Sequence, residues 1–366
     1  MKGFVSRQIS KFAGSMIVTP LVALLLIFVV DFFTIPGFFD FRFASGQLYG
    51  SLIDILVHGS PTMILAMGMT LVIATGGIDL SVGAVMAISS SVMCIMINPS
   101  IIGLNLADPQ FIINNPQYTW APLFLVFTVP LVFAVICGLW NGMLVAYWHI
   151  QPMVATLILM IAGRGIAQLV TNAIQIIIFN DTVAYVGNGF ILVPFAVFIV
   201  AGVFAVAWLL TRRTAIGLFI ESVGINSRSS YYAGINEKRI KLVAYAFCGF
   251  CAGIAGLMVA SNLRTSDANQ IGLYTELDAI LAVVIGGTLM SGGRFSLLAS
   301  CIGALVLQTT ITSMLSYGVP ASAIIAVKAL VVVVVLLLYA EQIRTYGRRI
   351  LSKLSAQQPA AQESAQ

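Results

Sequence analysis

Gly76-Gly77-Ile78-Asp79-Leu80-Ser81-Val82-Gly83 concentrates more chemistry than any other short stretch of this chain. Two glycines free the backbone immediately before a carboxylate and a hydroxyl, with apolar sequence on both sides. A charged side chain at the centre of a bilayer costs about 2.5–3.5 kcal/mol on insertion scales, so Asp79 needs a partner or water. As the N-cap of the following helix it would accept from exposed N–H groups and favour the helix dipole. The same carboxylate, with Ser81, could instead touch a polar substrate directly.

Other polar groups lie inside apolar runs. Arg164 and Gln168 are four residues apart in IAGRGIAQL and share a helix face, and Asp79 is one candidate ion-pair partner for Arg164. Asn141 sits between Gly138 and Gly142, on a helix built for close packing. A dense polar stretch, Arg264 to Gln270, leads to Glu276-Leu277-Asp278; Asp267, Asn269, Glu276 and Asp278 are candidates to line a polar path or form a docking rim. Together with Asp79, Ser81, Asn141, Arg164 and Gln168 they make up the candidate substrate path.

Catalytic constellations are missing. The sequence has no GxxxxGK[ST], no HExxH and no GxSxG. With two histidines in the sequence, His58 and His149, a histidine-based metal centre or a triad is not expected. Cys248 and Cys251 have redox-motif spacing, but AFCGFCAGIAG is a small-residue helix without a second pair, so the five cysteines read as packing residues. No metal or cofactor is expected in the chain.

These residues must be positioned by membrane-spanning helices. The composition is 60% hydrophobic and 8% charged, where soluble chains are roughly 25% charged. The 366 residues accommodate about ten spans. The expected spans begin at Met16, Ile53, Leu80, Trp120, Met153, Phe190, Leu242, Asp278, Phe295 and Ala321. The basic run ahead of Met16 resembles a signal peptide but lacks a small-residue cleavage site, which favours a retained first span. The expected organisation is a basic lead over 1–15, a membrane domain over 16–340, and a Gln-, Ala- and Ser-rich tail over 341–366. The fold class is all-α, a polytopic bundle. ATGGIDLSVGA (74–84) and VIGGTLMSGGRF (284–295) suggest two weakly related halves.

The longest polar interruption of the second half, 211–241, carries Arg212, Arg213, Arg228, Lys238, Arg239 and Lys241 against Glu221 and Glu237. With both termini inside, fourteen of the eighteen basic residues fall on the cytoplasmic side. That placement explains the net charge of +5 without a nucleic-acid partner. Ile216, Phe219, Ile220 and Val223 give the loop a helix of its own, a docking surface for a cytoplasmic partner.

GGIDLSVGA (76–84), GLWNG (138–142), QPMVATLILMIAGRGIAQL (151–169) and ELDAILAVVIGG (276–287) occur in collinear order and resemble the permease subunits of ribose/galactose-type ABC sugar importers. AMGMTLVIATGGIDLSVGAVMAI and FIESVGIN are most similar to the galactofuranose branch. The resemblance implies a bacterial inner-membrane permease that pairs with a second permease, identical or not, with the sugar path between them. It implies an ATP-binding subunit, holding ATP and Mg, on Gly217 to Asn226 (including Glu221 and Gly224) and on Ala233, Gly234 and Asn236. It also implies a periplasmic sugar-binding protein outside and lipid around the helices. ATP binding would move the short helix at 214–226 and shift the sixth and seventh spans. The rival reading is a proton-coupled sugar carrier working through Asp79 and Arg164.

Overall fold

A computed structural model describes residues 16–44, 47–98, 119–191, 193–320 and 322–330. The expected lead (1–15), the tail (341–366) and most of the 98–119 loop lie outside them. Contacts divide the chain into two units, up to Ser313 and from Met314.

The first unit is helical, with two minimal hairpins. Its elements are α1 (Val18–Thr34), β1 (Arg42–Ala44), β2 (Gln47–Tyr49), α2 (Ser51–Ala74), α3 (Val82–Ile97), α4 (Leu123–Ala146), α5 (Pro152–Val170) and β3 (Ile176–Ile177). Then follow α6 (Asp181–Asn188), α7 (Phe195–Trp208), α8 (Ile216–Ile225), α9 (Ser227–Tyr232), α10 (Glu237–Leu263), β4 (Thr265–Ser266), α11 (Thr275–Ile285) and α12 (Leu297–Ser316). β1 pairs antiparallel with β2, and β3 with β4. In the second unit, residues 322–330 are helical and contain Lys328. Six helices among the described residues are long and apolar enough to cross a membrane. The architecture is the helical membrane bundle that composition requires.

Every expected span has a helix, but not all are full crossings. α3 has 16 residues and α11 only 11. At 1.5 Å per residue neither reaches across a 30 Å hydrocarbon core. Both are half-helices that begin after irregular backbone, a form tolerated at membrane depth only where protein surrounds it.

α10 is the axis of the bundle, packed chiefly against α4, α2 and α3. Its small residues allow this. A Cβ on Gly249 would lie 2.4 Å from the Ala134 carbonyl oxygen, and one on Gly138 2.3 Å from that of Tyr245. Backbones therefore touch where glycines face each other, the packing mode of membrane helices. Cys248 and Cys251 lie at the α2 crossing, against Gly68, and all five cysteines are free. The central windows of α2 and α10 are 72% and 67% buried, against 22% for α4 and α7. Polar and small residues thus collect on the inner pair, while Leu, Ile and Phe of α4, α5 and α7 face outward as a lipid-facing surface requires.

Two polar stretches outside the expected spans are ordered. Residues 181–188 form α6, which Asn180 caps by accepting from the Val183 N–H. The polar run after α10 folds inward, burying Ser266, Ala268 and Ile271.

Candidate functional site

Three polar assemblies arise from these elements. The first surrounds the break between α2 and α3. Helix α3 starts at Val82, so the cap position falls on Ser81 and not on Asp79 as expected. Asp79 instead folds back on Ser81: its Oδ1 accepts from the Ser81 N–H (2.9 Å) and hydroxyl (2.6 Å). Asn141 on α4 donates through Nδ2 to the Ser81 hydroxyl (2.8 Å) and, more weakly, to Asp79 Oδ1 (3.4 Å). The Tyr245 hydroxyl donates to the Ile78 carbonyl (3.4 Å), and Cys248 adjoins Asp79. All of Asp79, Ser81, Asn141 and Tyr245 are at most 1% exposed. Asn141 Oδ1 finds no hydrogen-bond partner among the described residues. The arrangement ties the break to α4 and α10, and Tyr245 is a member that its apolar surroundings (AYAFCGF) concealed.

The second assembly forms on α5. Arg164 does not meet Asp79. Its Nη1 donates to the carbonyls of Ala268 (2.9 Å) and Ile271 (2.6 Å), with Glu276 and Asp267 as its acidic neighbours. Gln168, one turn along, donates to Asn269 Oδ1 (2.7 Å), and Asp267 Oδ1 accepts from the Asn269 N–H. One helix face thus clamps the chain that returns from α10 to α11. A Cβ on Gly83 would lie 2.1 Å from the Gly272 carbonyl oxygen and 2.6 Å from Glu276 Oε2. The N-termini of the two half-helices therefore meet there, with Glu276 buried in the first turn of α11 and Asp278 half-buried beside it. A single cation holds two carbonyls that no other group in the clamp serves. Arg164→Ala should therefore expose residues 264–274 to hydrogen exchange at least about tenfold faster, while Gln168→Ala, losing one neutral bond, should change it only about threefold.

The third assembly is the basic loop. α7 runs into a π-helical turn, Leu209–Arg213, and α8 and α9 follow. Asn226 caps α9 by accepting from Ser229 N–H, and Asn236 caps α10 by accepting from Arg239 N–H. α10 therefore starts at Glu237, a turn earlier than the apolar run. Gly234 takes a left-handed φ of +83° to turn the chain after Ala233. Gly217 is buried, where a Cβ would lie 2.0 Å from the Thr211 carbonyl oxygen. Ile220 and Val223 pack inward, Glu221 is half-buried, and Leu218, Ile225, Tyr231 and Tyr232 stand out in solvent or toward a partner. Arg213 covers Trp208 and Lys238 covers Tyr147, pairs typical of a membrane–water boundary.

The loop and the breaks converge. Gly293 N–H donates to the Ala74 carbonyl (2.9 Å), joining the two sequence-related turns. Gly224 of α8 lies on that bond: a Cβ there would stand 1.9 Å from Ala74 O and 2.5 Å from Gly293 N. One on Gly292 would meet Gly76 N at 2.9 Å and Gly224 O at 3.0 Å. The related stretches 74–84 and 284–295 are thus physical neighbours, and the short helix holds both. In sequence Gly292 and Gly293 carry only the weak repeat of 284–295; their contacts with Gly76 and Gly224 appear in the structure.

Residues 51–340 match the family model described as branched-chain amino acid transport system / permease component. The chain is 47% identical to the galactofuranose transporter permease protein YtfT of Escherichia coli (strain K12) over 324 residues, covering 88% of this chain and 89% of that one. It is 36% identical to the fructose import permease protein FruF of Bifidobacterium longum (strain NCC 2705), covering 91% and 88%. It is 32% identical to the ribose import permease protein RbsC of Escherichia coli (strain K12), covering 87% and 91%. No solved structure shows a significant match. With a family match over most of its length and sugar-import permeases as full-length relatives, the chain belongs to the branched-chain amino acid transport system / permease component family of multi-pass membrane permeases.

Proposed function

We propose that this chain is the inner-membrane permease subunit of an ATP-driven importer that carries a monosaccharide, with galactofuranose the first candidate. The near full-length likeness to three sugar-import permeases carries this reading. In it the basic loop lies in the cytoplasm with both termini, and the exposed Leu218, Ile225, Tyr231 and Tyr232 receive an ATP-binding subunit that holds ATP and Mg. A periplasmic binding protein delivers the sugar to the opposite end, and a second permease completes the pathway. The chain needs no cofactor of its own, because a neutral hydroxyl-rich solute asks only for hydrogen-bonding groups and the energy enters through the loop. A proton-driven carrier built on an Asp79–Arg164 pair loses its basis, since each of the two side chains is held by other partners.

The test is to purify the tagged chain from its native host in mild detergent and to measure sugar uptake with ATP and the proton gradient varied separately. Co-purification of a P-loop ATPase and a second permease is expected, with uptake that persists under an uncoupler while ATP is held and stops when ATP is depleted. Accumulation by the chain alone in liposomes carrying a proton gradient would overturn the reading.

A further inference from the structure

At the end of the bundle opposite the basic loop, the structure contains a cavity of about 650 Å3 between the start of α2, the end of α10, α6 and the β1–β2 hairpin. Its size falls within the roughly 300–1,000 Å3 of small-molecule sites. Asp54 and His58 are one turn apart on α2 and both exposed into it. Asn188 and Asn262 form its inner wall, fixed to each other by a 2.8 Å amide bond. Tyr49 and Tyr185 supply two exposed rings. Arg264 bonds Asp181 at 2.9 Å, which leaves the Asp54 carboxylate, beside His58, as the one acid of the lining without a basic side chain in salt-bridge contact among the described residues. A smaller cavity of about 110 Å3 continues along α2 past Pro61 and shares Val57, His58 and Asn262 with the first. Pro61 lacks an N–H, which removes the helical donor for the Val57 carbonyl beside both spaces.

We infer that this cavity is an entry site for one neutral monosaccharide, formed within a single permease chain. An anion would meet the Asp54 carboxylate with the lining's one arginine already bound to Asp181. A lipid or apolar peptide would bury the Asp54 carboxylate and the His58 imidazole against hydrocarbon. A polyhydroxylated solute fits this mixture of groups: the Asp54 carboxylate accepts from its hydroxyls, the imidazole N–H donates to its oxygens, and the tyrosine rings cover its C–H faces. The site rests on the sugar-import reading and adds a location to it, and of its lining residues only Arg264, at the start of the clamped return chain, belongs to an assembly described above.

The test uses single-cysteine variants Asp54→Cys and, as a second position, His58→Cys, in spheroplasts of the native host. The native cysteines are buried or half-buried, so a membrane-impermeant methanethiosulfonate reports the new thiol. D-galactose, D-ribose and D-fructose are each offered, and uptake of the same labelled sugars by the wild type is measured in parallel. The sugar that the wild type imports should slow labelling at both positions about tenfold, and His58→Ala should raise the KM for its uptake about tenfold with Vmax retained. The entry site is overturned if an imported sugar leaves labelling unchanged, or if only the periplasmic binding protein protects the thiols. If the wild type imports none of these sugars by an ATP-dependent route, the importer reading fails for them, and the cavity's assignment falls with it.

Discussion

Gly224→Ala is expected to cut ATP-driven sugar uptake by at least about tenfold while the ATPase still binds and the chain still inserts. The new methyl would occupy space 1.9 Å from the Ala74 carbonyl oxygen and 2.5 Å from the Gly293 nitrogen, both backbone atoms with little room to yield. Relieving the overlap requires α8 to lift away from the two turns or the Gly293–Ala74 bond to open. Overpacking of this kind costs about 1–3 kcal/mol, small against the folding of a bundle this size but large for a contact that must transmit motion. Because Gly224 contacts the ends of the breaks while Leu218 of α8 and Tyr232 of α9 face outward, docking and transmission fall on different residues of the loop. Leu218→Asp or Tyr232→Asp should release the ATPase on purification. Gly224→Ala should keep it and uncouple it, with ATP hydrolysis continuing while transport falls. Wild-type uptake in Gly224→Ala, or loss of the ATPase, would remove the node from the coupling path. On the proposed function the node adds a route to the one expected through α7 and α10, since the carboxyl end of α8 rests on both related turns.

The parts of this arrangement that were legible in the sequence are those set by local composition. Apolar runs placed the helices, and the glycine pair before Asp79 marked a break. The excess of arginine and lysine marked the loop. What sequence could not supply is partner identity. Arg164 needed acceptors, and an acidic side chain was the natural expectation; the structure gives it two backbone carbonyls, which carry no sequence signature. The 264–274 stretch is polar in sequence, yet it buries Ser266, Ala268 and Ile271, with the Ser266 hydroxyl bonded to Ser90 of α3 and Asn269 to Gln168 of α5. Start positions shifted for a related reason. Asn180 and Asn236 are N-caps whose helices begin in polar sequence, ahead of any apolar periodicity. The similarity between 74–84 and 284–295 was weak as text, and only their direct contact gives it meaning.

Asp79 yields the other large effect, and the order of its variants distinguishes a structural tie from a proton relay. Its Oδ1 serves two donors of Ser81 and receives a third, longer bond from Asn141, all without solvent access. Asp79→Ala strands these donors at about 1–3 kcal/mol for each that finds no replacement. A loss of about 2–4 kcal/mol is expected, since Asn141 keeps its bond to the Ser81 hydroxyl and donors within membranes find some alternatives. The variant should melt several degrees lower in detergent and accumulate poorly. Asp79→Asn keeps an acceptor oxygen in the same place and adds an amide beside Asn141, whose Oδ1 is an unpartnered acceptor. It should insert normally and import sugar at more than about half the wild-type rate, with no new sensitivity to an uncoupler. A carboxylate that shuttled protons would give a different order, because the amide cannot be protonated and released in its place. Asp79→Asn would then be as inactive as Asp79→Ala, and that result would return Asp79 to the transport chemistry and take it out of the scaffold.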